Sequence, residues 1–135
     1  MTEPRVTDLT VAELLYTSGT TAAPKGVMIT HANLVFSGHY GVWQTSLRGD
    51  DRVLSTMPAC HSNFQLAALM PVLVAGATLV MVDRYSASHF WEQVRQERAT
   101  VVQLIAMMAR TLLLQEPSAE DGCHELRDAL YFMPL

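Results

Sequence analysis

The chain has 135 residues, half of them apolar, with 9 basic and 13 acidic side chains and a net charge of −4. An average soluble chain is about 25% charged, roughly 34 residues at this length. The 16% found here falls short, although a small globule has proportionally more surface to cover. The deficit argues against an ordinary self-contained domain and leaves two expectations: a membrane segment, or a piece of a larger apolar core.

In chain order, Val11 to Tyr16 is a short apolar run that enters a hydroxyl-rich loop, Thr17 to Pro24, followed by Lys25. Gly26 to Thr30 is apolar and β-favouring, so the loop is expected to join two strands. Thr30 can cap a helix whose apolar positions Leu34, Val35, Val42, Trp43 and Leu47 recur at helical spacing, with Gly38 and Gly41 admitting a close neighbour. Arg52 to Met57 reads as a strand broken by Pro58. Phe64 to Val82 then runs nineteen positions without a charge, close to the roughly 20 needed to cross a bilayer. Pro71 and the Ala75-Gly76-Ala77 step divide it instead into a buried helix, Gln65 to Val74, and a buried strand, Thr78 to Val82. A helix from Ser86 or Ser88 to Arg98, a strand from Thr100 to Ile105, a helix from Met107 to Leu114, a polar loop from Glu116 to Gly122 and a strand from Ala129 to Met133 complete the chain.

Strands apolar on both faces, alternating with helices, predict an α/β sheet with helices over both sides. No repeat and no internal domain boundary stands out, so residues 1–135 read as one partial domain. The acidic balance lacks the basic stripe that displaces counterions from nucleic acid. Cys60 and Cys123 have neither metal-ligand nor disulfide spacing; they read as reduced thiols, and no metal site is expected. With no basic, apolar leader after Met1, the expected location is cytoplasmic. Trp43, Phe90 and Trp91 are expected as core anchors, and the methionines as adaptable packing.

The informative segment is Thr17-Ser-Gly-Thr-Thr-Ala-Ala-Pro-Lys-Gly26. Four hydroxyls, a glycine that lets backbone N–H groups converge, and a terminal cation make a cradle for a polyphosphate. Each hydrogen bond to a charged oxygen contributes about 1.5–3 kcal/mol. The spacing is not that of Gly-x-x-x-x-Gly-Lys-Ser/Thr, and the loop leads to a strand, so no helix dipole assists. On composition alone the segment is equally a Ser/Thr-rich turn. The order decides: Tyr-Thr-Ser-Gly-Thr-Thr-x-x-Pro-Lys-Gly-Val followed by Thr-His-x-Asn-Leu resembles the phosphate-binding signature of the adenylate-forming acyl-CoA synthetases. The Met57-Pro-Ala-Cys-His61, Tyr85 to Val94 and Met107 to Leu112 segments resemble the crotonobetaine/carnitine-CoA ligase branch in particular.

That resemblance spans essentially the whole chain and implies part of the large N-terminal domain of the adenylate-forming fold. It implies activation of a small carboxylic acid by ATP with Mg²⁺, through an acyl-adenylate, and transfer to coenzyme A. Carried over, Thr17, Ser18, Gly19, Thr20 and Thr21 embrace the β- and γ-phosphates and Lys25 offsets their charge as pyrophosphate leaves. His61, in a Pro-x-x-His pattern, lies by resemblance beside the acyl pocket, with Cys60 where an aromatic residue is usual. Read without the resemblance, a histidine after a strand and a proline is more often an ordinary hydrogen-bonded residue. Cys60 and His61 are consecutive on an extended segment and point apart, so a nucleophile pair is not expected. Ala22 replaces the usual glycine; if that position needs positive φ, alanine costs about 1–2 kcal/mol. The family's adenine-binding and ribose-binding segments and its small mobile domain are not in the sequence, so an internal fragment without a complete catalytic set is expected. The alternative is a non-catalytic module that binds nucleotide or associates with a full-length homologue.

Overall fold

The computed structural model describes residues 5–17 and 23–132. The first two apolar runs form an antiparallel hairpin, β1 (Val11–Thr17) and β2 (Lys25–Thr30). Pairing sets Tyr16 opposite Gly26 and Thr17 opposite Lys25, with an irregularity between Val11 and Glu13. The hairpin is a sheet of its own. It leaves Leu14, Tyr16, Val27 and Met28 exposed.

Helix α1 (His31–Thr45) starts where the sequence places it. The Thr30 hydroxyl accepts the Asn33 N–H at 3.2 Å and the Asn33 side-chain oxygen accepts the Thr30 N–H at 3.0 Å, a reciprocal capping box. The helix ends at Ser46 in a left-handed conformation, φ 49°. Next come β3 (Arg52–Ser55), a one-turn helix α2 (Ser62–Phe64), a π turn over Gln65–Leu69, and α3 (Met70–Ala75). The π turn closes on the bond from the Met70 N–H to the Gln65 carbonyl, immediately before Pro71, whose nitrogen has no hydrogen to donate and whose ring crowds the preceding turn. The chain continues through β4 (Thr78–Met81), α4 (Phe90–Gln96), β5 (Val101–Ile105), α5 (Ala106–Leu112) and β6 (Asp128–Phe132).

The last four strands form a parallel sheet in the order β4-β3-β5-β6. Alternation along the strands divides the core between two faces. Leu54 and Val102 meet Phe90, Val94 and Ala99 on one side; Val53 and Val101 meet Leu47 and Val72 on the other. The sheet is therefore covered on both sides, as its apolar strands require. The uncharged stretch 64–82 is divided among helix, turn and strand, and among the described residues no helix is long and apolar enough to cross a membrane.

Some sequence expectations change. Trp43 is not a core anchor: it is 77% exposed and forms an aromatic ladder on α1 with Tyr40 and Phe36, with centroid spacings of 5.9 and 6.0 Å. Strand β4 is an edge strand with Thr78 and Met81 exposed. Helix α4 starts at Phe90, because the Ser86 and Ser88 hydroxyls bond the His89 ring rather than capping a helix themselves.

Gly38 is buried where α1 crosses α3, and a Cβ there would lie 2.6 Å from Val74 Cγ2 and 2.9 Å from the Met70 carbonyl oxygen. Alanine in place of glycine would gain about 1 kcal/mol of helix propensity. The clash is with backbone, which cannot turn aside, so we expect Gly38→Ala to lower stability by about 1–3 kcal/mol, measured by urea denaturation.

At the amino ends of the central strands, the carboxylate of Asp51, 3% exposed, is bound bidentately by Arg127 just before β6. It also accepts the Thr100 hydroxyl at 2.7 Å and the Arg48 N–H at 2.7 Å. The Arg127 hydrogen bonds hold the Asp51 carboxyl well below the usual carboxylate range against the opposing effect of burial, with Thr100 and Arg48 adding to the depression. A depressed carboxyl stabilises the fold fully above its unfolded value of about 4, and this contribution is lost as pH falls further toward the folded value. Arg127→Met leaves that carboxylate buried without its cation, a loss of about 3 kcal/mol at neutral pH. Denaturant midpoints measured from pH 7 downward should fall more shallowly below pH about 4 in Arg127→Met than in the unsubstituted chain.

Candidate active site at the hairpin mouth

The crossover from β3 leads to β4 on one side, whereas the chain leaving β5 leads to β6 on the other. The carboxyl ends of β3 and β5 thus border a crevice, the place where open parallel sheets hold ligands. The loop after β3 turns back through a 3.0 Å bond from the His61 N–H to the Pro58 carbonyl. It then starts α2, facing the hairpin.

A cavity of 630 Å³ lies between the two, with Tyr16, Thr17 and Val27 on the hairpin side and Pro58, His61 and Leu66 opposite. Of the residues singled out in the sequence, Thr17 and His61 share this cavity. Lys25 stands across the hairpin from Thr17, whose hydroxyl donates to the Lys25 carbonyl at 3.5 Å. The ladder therefore brings the two ends of the hydroxyl-rich loop together. Ser18, Gly19, Thr20, Thr21 and Ala22 lie outside the described residues. Another cavity, of 540 Å³, is bordered by Trp91, Arg95 and Glu120. It contains none of the motif residues, and its Arg95 is engaged with Glu120 at 2.8 Å.

His61 is the N-cap of α2: its backbone is extended, and its ring Nδ1 accepts the Asn63 N–H at 3.1 Å. A ring nitrogen that accepts carries no hydrogen, so the neutral imidazole has its proton on Nε2. With Nδ1 engaged, that nitrogen is not free to serve as a base toward the neighbouring thiol of Cys60. The sequence expectation that Cys60 and His61 point apart is not met in one respect: the segment turns at residues 59–60, and both residues line this cavity.

Behind the cap is a buried polar chain absent from the expected site residues. Gln103 of β5 is 1% exposed. Its side-chain oxygen accepts the Ser55 hydroxyl at 2.6 Å, and its NH₂ donates to the Asn63 carbonyl at 2.8 Å and the Asn63 side-chain oxygen at 3.1 Å. The reversed amide would set an oxygen against two oxygens, so the network dictates the orientation. The sequence signal was a single glutamine inside Val101-Val-Gln-Leu-Ile105, the one polar residue in an otherwise apolar strand.

The crevice at the ends of the parallel strands is thus bordered by the hairpin end and by the polar cap of α2. The AMP-binding enzyme family model matches residues 2–131, and the chain belongs to that family. It is 52% identical over 132 residues to a crotonobetaine/carnitine–CoA ligase of Escherichia coli strain SE11, and 53% to that of strain K12 / DH10B; each match covers 98% of this chain and 25% of the relative. The chain thus spans about a quarter of the length of these curated relatives. Among solved structures it superposes on o-succinylbenzoate CoA synthetase (MenE) of Bacillus subtilis in complex with its acyl-adenylate intermediate, with TM-score 0.80, 28% identity, and coverage of 94% of this chain and 32% of that one. The same synthetase in complex with ATP and magnesium ion gives TM-score 0.79 at 28% identity, covering 93% and 26%. These neighbours establish the fold as that of the N-terminal domain of adenylate-forming enzymes, with an α/β sheet and covering helices.

The cap and any chemistry of His61 can be separated. His61→Ala removes the acceptor for the Asn63 N–H and should lower stability by about 1 kcal/mol. His61→Asp supplies a capping oxygen without an imidazole and should restore most of it, as read by thermal unfolding.

Proposed function

We propose that this chain supplies the phosphate-gripping loop and part of the acyl-pocket wall of an ATP-dependent carboxylate–CoA ligase, acting on a crotonobetaine- or carnitine-like acid. The observation that carries the reading is the shared cavity of Thr17 and His61, with the phosphate-loop signature between Thr17 and Lys25. The identity to the Escherichia coli ligases supports the substrate class. In this reading the carboxylate of the acid attacks the α-phosphorus of ATP, the bond to the bridging oxygen breaks, and pyrophosphate departs. Coenzyme A thiol then displaces AMP from the acyl-adenylate.

Within these steps the chain positions and neutralises; it supplies no general base. The hydroxyls of Ser18, Thr20 and Thr21 donate to β- and γ-phosphate oxygens, that of Thr17 joins them by turning from the Lys25 carbonyl, and Gly19 lets the backbone N–H groups approach the same oxygens. The Lys25 ammonium offsets the charge that accumulates as pyrophosphate leaves. Such preorganised donors are the main protein contribution to phosphoryl-type transfers. His61, protonated on Nε2, offers a donor to the reacting carboxylate or the phosphate it attacks. Among the described residues no group of three His, Cys, Asp or Glu could hold a metal ion, and none of these roles runs through magnesium.

The test is a chimera: the Escherichia coli K12 ligase with its matched quarter exchanged for these residues, assayed for acid-dependent ATP–pyrophosphate exchange. Exchange driven by crotonobetaine or carnitine is expected. Lys25→Ala should lower kcat/KM by about 10²–10³-fold. A soluble, folded chimera that exchanges with neither acid would overturn the substrate assignment, and full exchange by Lys25→Ala would overturn the role of the loop.

A further inference from the structure

A glutamine side chain held 1% exposed between two parallel strands is costly unless every polar atom is used. In Gln103 every one is: the oxygen accepts from Ser55, and both amide hydrogens go to Asn63. Ser55 is itself fixed by the Met57 N–H, 3.3 Å from its hydroxyl oxygen. The chain of contacts runs from the last residue of β3, through β5, to the second residue of α2, and ends on the ring of His61. Apolar packing would fill the same volume. Only an amide joins a hydroxyl on one strand to two oxygens of one residue at a helix start.

We propose that Gln103 is a positioning residue: by binding both oxygens of Asn63 it fixes the first turn of α2, so that the Asn63 N–H occupies Nδ1 of His61 and leaves the proton on Nε2 for a ligand in the cavity. This rests on the reading of His61 as an acyl-pocket residue. It adds that the tautomer and orientation of His61 are set from inside the sheet, by a residue two contacts away from its ring. A buried carboxamide is suited to this, because it does not titrate and its orientation does not change with pH.

The chimera supplies the kinetic test. Gln103→Met keeps length and removes the two donors; kcat of exchange should fall by about tenfold or more, the scale of a misplaced reacting-group contact, while KM for ATP stays unchanged because the hairpin mouth is untouched. In a His61→Ala background, Gln103→Met should cost nothing further in kcat, since the group it positions is gone. The His61 tautomer is read independently from ring-nitrogen shifts of the ¹⁵N-histidine-labelled, unsubstituted protein at a pH where the ring is neutral, with Nε2–H as the expected form. If His61→Ala alone leaves exchange intact, the reading of His61 fails. If His61→Ala loses activity and Gln103→Met does not, or if their losses multiply, the positioning role fails alone. A ring protonated on Nδ1 in the unsubstituted protein overturns it even where Gln103→Met does not fold.

Discussion

The fold depends on one constraint: β3 is four residues long, lies between two parallel neighbours, and is sealed at both ends by polar groups that have no water to turn to. At its amino end Asp51 gathers Arg127, Thr100 and the Arg48 N–H, tying the approach to β3 to β5, to β6 and to the end of α1. At its carboxyl end Ser55 meets Gln103, and through it Asn63. Between them Val53 and Leu54 anchor the two apolar faces. The two polar ends do different work. An ion pair sets the alignment of strands on the side away from the cavity, where its strength matters and its pH sensitivity is confined to acid. A neutral amide network stands on the cavity side.

The candidate site follows from this arrangement. Parallel strands whose connections diverge leave a crevice at their carboxyl ends, and the loop from β3 delivers Pro58 to Ser62 into it. The hairpin stands apart from the sheet and supplies the opposite wall. One wall is thus attached to the rigid core through Gln103 and the helix cap, while the other ends in the hydroxyl-rich loop.

Much of this was legible in the sequence because the signals were local. The Thr30 cap, the division of the uncharged stretch at Pro71 and Gly76, and the order of strands and helices each rest on residues close in sequence; Gly38 was legible as a place of close approach, but its partners Met70 and Val74 come from a later helix. The ordered motif from Tyr16 to Val27 identified the family. What was not legible depends on distant pairing. Asp51 and Arg127 are 76 residues apart, Ser55 and Gln103 48, and Gln103 and Asn63 40; no periodicity encodes such partners. That β1 and β2 stay outside the main sheet was equally hidden, because their apolar alternation suits either place. Trp43 shows the limit of residue type as a guide: it falls on the helical apolar repeat and is nevertheless exposed on α1.

The central claim is that the hairpin mouth and the His61 cap close on a single ligand. A diffraction structure of the chimeric ligase with a non-hydrolysable ATP analogue tests it most directly. The β- and γ-phosphates are expected at the mouth between Thr17 and Lys25, with the α-phosphate in the cavity on the side of His61 Nε2. A triphosphate bound away from the hairpin, with that cavity empty of nucleotide, would contradict it.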